Sequence, residues 1–226
     1  MTVLFVTILV IWILLSLFLF VWFMTANIRS KKSFDDKVYK KLMSLAKNRD
    51  YLMFNNVKNN DEFGNEYEFK YMIMADKFCY AINELNVNGA ISGININDNF
   101  FSNIDLKNKR ISIDNFYKTT KKMAKGLDSY LQQRDITDNC YIIPITVVPN
   151  SISIDPVLKC EHDNSYLFKL KDLKKGIISI EDKTNVGPVR KDVAEAYRKT
   201  LISLSSVEDK KQGFYKKFIK SYSKRK

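Results

Sequence analysis

From Val3 to Met24 the chain is apolar apart from Thr7 and Ser16, and no charged side chain occurs between Thr2 and Ile28. A helix rising about 1.5 Å per residue needs roughly 20 apolar residues to cross a ~30 Å hydrocarbon core, so this pattern predicts one transmembrane helix. A cleaved signal peptide fits less well, because no Lys or Arg precedes the apolar run, which exceeds the usual ~7–15 residues. Trp22 suits an interfacial anchor, and the first basic residues, Arg29, Lys31 and Lys32, follow the span. The positive-inside rule then predicts a single-pass cell-membrane protein with its C-terminal side in the cytosol.

Beyond the span the periods change. Phe34, Val38, Leu42 and Leu45 recur at three- and four-residue spacing, predicting an amphipathic helix over Ser33 to Ala46 with Ser33 or Asp35 as its cap. Tyr51 to Val57 reads as a strand, and Glu66 to Met74 with Phe78 to Leu85 reads as a hairpin turning at Asp76-Lys77. Gly89 to Ile96 gives a third extended piece. Asp114 to Gln133 is the longest helix predicted after the span, and it delivers into CYIIPITVV, a strand apolar enough to be buried on both faces. Pro144 inside that strand cannot donate to a ladder and predicts a bulge there. Gly176 to Ile180 reads as a short strand, and a helix is expected from about Pro188 to Leu204. The organisation expected is a transmembrane anchor over 1–28, a basic juxtamembrane linker over 29–33, an α/β domain over 34–205 and a basic tail over 206–226.

Charge sharpens that division. The chain carries 37 Lys and Arg against 25 Asp and Glu, a net charge of +12. The tail concentrates it: Lys210, Lys211, Lys216, Lys217, Lys220, Lys224, Arg225 and Lys226 occur with no acidic residue among them. Phe214, Tyr215, Phe218, Ile219 and Tyr222 recur between them at helical spacing, which predicts a segment for anionic membrane lipid, with nucleic-acid phosphates as the competing partner.

Three cysteines, Cys79, Cys140 and Cys160, show no CxxC spacing, and a reducing compartment argues against a disulfide framework. Cys79 and Cys140 sit in apolar runs and read as small core residues. The single histidine, His162, lies beside Cys160 and Glu161, and neighbours on one loop do not readily surround a tetrahedral metal. One histidine also leaves no room for multi-histidine sites.

The segment FKYMIMADKFCYAINELNVNGAISG, Phe69 to Gly93, resembles without a gap the central segment of the NERD (nuclease-related domain) family, I-D-H-I-L-I-S-x-x-G-I-F-V-I-E-T-K-N-x-x-G-x-I-x-G. Asn86, Gly89 and Gly93 fall on the family's Asn and glycines. DDKVYKKLMSL with YLMFNNV is similar to the family's opening helix and first strand, with Asp36 near the helix carboxylate. NFYKTTKKMAKGLDSYLQQ with CYIIPITVV is similar to its N-P-x-x-Q helix and following strand. The likeness covers about Phe34 to Asn150.

The resemblance implies an α/β, restriction-endonuclease-like mixed sheet flanked by helices. In that family an Asp and a Glu-x-Lys hold Mg²⁺ and activate water, because carboxylates bind the hard cation and the metal stabilises charge on the attacked phosphate. Here Lys70 stands in place of the Asp, Asn83 of the Glu and Leu85 of the Lys, while Phe116 and Thr119 replace the Pro and Gln of the long helix. A slipped register would recruit Glu68, Glu84 and Asn86 as a substitute cluster, with Asp36 a further substitute carboxylate, but it would turn the apolar set of Phe78 to Leu85 outward. Glu68 and Glu84 are therefore expected as solvated strand residues.

The expectation is a membrane-anchored, non-catalytic binding or scaffold protein with a degenerate nuclease site, no metal and no cofactor. Its partners are expected to be membrane lipid and a nucleic acid or another membrane-associated protein. The alternative is a metal-dependent nuclease acting on DNA near the membrane, which would need Mg²⁺.

Overall fold

A computed structural model describes residues 2–60, 64, 66–93, 96–134, 136, 140–159 and 164–205, without the side chains of 2–10 and 23–33. Cys160, Glu161, His162 and the whole basic tail lie outside the described residues.

The first element, α1, runs unbroken over Thr2–Arg49. The span and the amphipathic helix expected separately are thus one helix, since no Gly or Pro lies between Thr25 and Ser33 to end it. Its residues up to Lys40 form one compact unit and the rest of the chain a second. Between Ile11 and Trp22 the large apolar side chains are 50–71% exposed. Among the described residues no helix is long and apolar enough to cross a membrane; the described side chains of α1 cover only Ile11 to Trp22 and Phe34 onward.

The second unit is a mixed α/β fold built on two sheets. In the first, β1 (Leu52–Asn60), β2 (Glu66–Met74) and β3 (Phe78–Glu84) form an antiparallel meander. Next, β7 (Tyr141–Val148) and β9 (Tyr166–Lys169) add on in parallel, giving the order β1-β2-β3-β7-β9. The crossover from β3 to β7 contains α2 (Phe116–Gln132) and three strands of a second sheet, which β8, after β7, completes in the order β6-β5-β4-β8. Its strands are β4 (Ala90–Ser92), β5 (Phe100–Ile104), β6 (Arg110–Asp114) and β8 (Ser153–Ile154). The β5–β6 hairpin was not legible in the sequence.

Both faces of the first sheet are covered. Cys79 and Ala81 of β3 join Leu127 and Leu131 of α2 and Tyr197 and Leu201 of α4 (Lys191–Leu204) in one core cluster. Tyr80, on the opposite face, donates to Glu181 of α3 (Leu173–Lys183) at 2.9 Å. Gly176 to Ile180 is therefore helix and not strand: Leu173, Ile177 and Ile180 form a buried stripe at helical spacing that overrides the β-branched composition of GIISI. Pro188 lies just ahead of α4 and not in its first turn.

No bulge occurs at Pro144, for the β3–β7 register runs unbroken from Phe78↔Tyr141 to Glu84↔Val147. Leu85 N–H donates to Val147 O, and Leu170 N–H to Val148 O. By alternation Pro144 therefore points its missing donor away from β3, toward a flank where β9 pairs only from Ile145 onward. Gly89, at φ +88°, is where β4 meets β5 so closely that a Cβ would lie 1.9 Å from Ile104 O. Cys79 and Cys140 are both buried free thiols. A hydrogen bond with Cys140, together with burial, pushes the Cys79 thiol well above its ordinary range.

Candidate functional site

The end of the first sheet opens into a cavity of about 560 Å³. Strand β2 contributes Glu68 and Lys70, the end of β3 contributes Asn83, Glu84 and Leu85, and β7 contributes Thr146. Strand β6 adds Ser112 to Asp114, and the first turns of α2 add Phe116, Thr119 and Thr120. The positions that the resemblance aligned with the family's site, Lys70, Asn83, Leu85, Phe116 and Thr119, thus share one cavity. Asp36 is exposed on α1 and belongs to the first unit.

Local structure explains each placement. The antiparallel register Tyr71↔Ile82 sets Lys70 across from Asn83, and Lys70 N–H donates to Asn83 Oδ1 at 3.2 Å. Asn83 Nδ2 in turn donates to Met123 Sδ on α2 at 3.5 Å. The helix start is held by Asn115, whose side-chain oxygen accepts from the N–H groups of Tyr117 and Lys118. Its amide nitrogen donates to Ile96 O and Asp98 O, tying the cap to the preceding loop. Thr120 Oγ1 bonds Phe116 O within α2 and lies 3.3 Å from Thr146 Oγ1 of β7.

The central feature is an ion pair. Lys70 Nζ donates to Glu84 Oε2 at 2.6 Å, with the Glu84 side chain only 5% exposed and that of Lys70 33%. Glu84 is therefore not the solvated strand residue expected; β3 ends there, and its carboxylate turns into the cavity with no slip of register. Glu68 remains solvated, at 48% exposure, beside Lys58 at 3.4 Å.

The ammonium engages one oxygen of the Glu84 carboxylate and disfavours a further cation beside it. Among the described residues no group of three or more His, Cys, Asp or Glu is arranged to hold a metal. What this lining offers is a small charged and hydroxylated recess: one cation neutralised by one carboxylate, two further carboxylates, and the hydroxyls of Ser112, Thr119, Thr120 and Thr146.

A second polar centre escaped the sequence reading. Glu181 is buried on α3, where it accepts from Tyr80 Oη and from Lys77 N–H, while Lys77 Nζ donates to Glu181 O and Thr184 O. Burial raises the Glu181 carboxyl above its ordinary value, partly opposed by the Tyr80 and Lys77 bonds. Burial, with the nearby Glu181 charge, pushes the Tyr51 phenol up to about 12. Because α3 was read as a strand, nothing in the sequence pattern had placed Glu181 opposite Tyr80.

The architecture defines the class as a mixed α/β fold with two sheets flanked by helices. No family model matches the chain, and no curated protein or solved structure matches it.

Proposed function

We propose that the chain is a membrane-anchored, degenerate member of the nuclease-related-domain family, and that its cytosolic domain is a non-catalytic binding or scaffold module. The observation that carries this reading is the Lys70–Glu84 pair at 2.6 Å, in the cavity shared by the positions aligned with the family's metal site. An ammonium on the cavity's most buried carboxylate opposes binding of a divalent cation there, which supports a site without metal-assisted chemistry.

The anchor is supported by the exposed apolar helix. Twelve consecutive residues from Ile11 to Trp22, polar only at Ser16, carry large apolar side chains that are each half exposed or more. Such a surface is stable in lipid and costly in water. The sequence extends the apolar run to Val3 and Met24, about 33 Å of helix at 1.5 Å per residue. The lysines and arginines after it assign the following domain to the cytosol.

The test is incubation of the purified full chain with supercoiled and linear DNA in Mg²⁺ or Mn²⁺. No cleavage is expected, and metal-dependent cutting that disappears in Glu84→Ala would overturn the reading in favour of a migrated nuclease site. For the anchor, the chain is expected to stay with membranes through alkaline carbonate and to be released by detergent. Release by carbonate would refute it.

A further inference from the structure

We infer that the free edge of β6 is the docking surface for a second copy of this chain, which adds to it as an antiparallel strand about a two-fold axis at Ser112. This goes beyond the proposed function and does not depend on it. Strand β6 is the outer strand of the second sheet, and among the described residues β5 is its sole neighbour in the ladder. Exposed edges are normally blunted by short length, by charged side chains or proline, by a bulge or by a covering element; β6 is short and charged at both ends, but Arg110 and Asp114 are of opposite sign and a two-fold mate neutralises both. Here the segment Arg110-Ile111-Ser112-Ile113-Asp114 contains neither Pro nor Lys, its register with β5 is continuous, and every residue except Ile113 is exposed.

The hydrogen-bond parity of the hairpin shows which groups the edge offers. Asp105 N–H donates to Lys109 O, and Asn115 N–H donates to Asn99 O, at the two ends of the β5–β6 ladder. Bonded pairs alternate in an antiparallel ladder, so Lys109, Ile111, Ile113 and Asn115 address β5. The N–H and C=O groups of Arg110, Ser112 and Asp114 therefore point to the free edge.

A second β6 laid antiparallel must pair even positions with even positions. Centring on Ser112 lets Ser112 exchange both backbone bonds with Ser112 of the partner subunit. Arg110 then lies opposite the partner's Asp114, and Asp114 opposite the partner's Arg110. Ile111, which is 43% exposed, comes to face the partner's Ile113 in the closer, non-bonded pairs. The neighbouring two-fold registers allowed by parity, centred on Ile111 or on Ile113, set Arg110 or Asp114 opposite the partner's Ser112 and lose both charge pairs, while those centred on Arg110 or on Asp114 set like charges against each other. Because the operation closes on itself, it gives a dimer with one continuous sheet and no open-ended stack.

The test uses the full chain in detergent micelles and in vesicles, with Cys160→Ser to remove the thiol outside the described residues. A bonded antiparallel pair brings its Cα atoms to about 5.5 Å, within disulfide range, so Ser112→Cys is expected to cross-link to a dimer on mild oxidation. Leu106→Cys, 82% exposed at the hairpin turn, is expected not to, because the turn lies about four residues of rise from the axis in each copy, and about 3.3 Å of rise over eight residues separates the two copies by roughly 26 Å. Arg110→Asp and Asp114→Arg should each abolish the dimer, and the double exchange should restore it. Ser112→Cys cross-linking no faster than Leu106→Cys would overturn the proposal. So would a double exchange that remains monomeric.

Discussion

At the residue scale the two halves of the ion pair are unequal, and the inequality can be measured. Lys70→Met strands a carboxylate that is 95% shielded, whereas Glu84→Gln leaves an ammonium with a third of its surface in water. Unpaired buried charges cost about 3–5 kcal/mol, and exposed partners much less, so Lys70→Met should lose roughly 2–3 kcal/mol of stability and Glu84→Gln under about 1 kcal/mol. Replacing both with apolar residues should recover most of that loss, as read in denaturant midpoints. Glu181 supplies a pH test. Its carboxyl is raised in the folded chain, so the native state binds the proton more tightly than the unfolded chain does. Its contribution is full below the ordinary value of 4.5 and is lost as pH rises through the folded value. Glu181→Gln, which keeps an acceptor for Tyr80, should flatten that part of the stability profile, whereas an unchanged slope would show that Glu181 is not its source.

At the scale of elements, α3 carries the clearest test. Gly to Ala inside a helix ordinarily gains about 1 kcal/mol. At Gly176 a Cβ would lie 2.5 Å from the Phe168 ring of β9, so Gly176→Ala should instead destabilise by about 1–3 kcal/mol. Thermal unfolding of Gly176→Ala alone and with Phe168→Leu measures it, since the smaller partner should relieve the clash. The same helix shows why part of the fold was hidden. Meander, long helix and buried strand were legible because Phe78 to Leu85 and Tyr141 to Val148 are apolar runs long enough to be buried on both faces. GIISI carries β-branched residues and a glycine, yet its stripe begins outside it, at Leu173, and tertiary packing decided the outcome. Hairpin β5–β6 was hidden for the opposite reason: FFSNI and RISID are short, and β6 buries little of either face. Lys70, Asn83 and Leu85 were legible as positions in an aligned pattern, but Ser112, Asp114 and Thr146 reach the cavity only through topology, and no local pattern marks them.

At the scale of the whole molecule, the two buried thiols at the junction of β3 with the strand after α2 act as a built-in clock. Cys79 is 0% and Cys140 5% exposed, and their mutual hydrogen bond with burial holds back the thiolate of Cys79. Alkylation proceeds through thiolate that solvent can reach, so neither site reacts until the strands around it separate. In the Cys160→Ser background, a maleimide or iodoacetamide chase should show both sites modified together, at a rate that rises with urea and levels off at high reagent concentration. The plateau is the opening rate of the domain, and the dependence below it gives the opening equilibrium. Modification of Cys140 long before Cys79 would mean instead that the region around α4 peels away alone. An unfolding free energy would thereby become measurable in native membranes, where heat and detergent confound the usual scans.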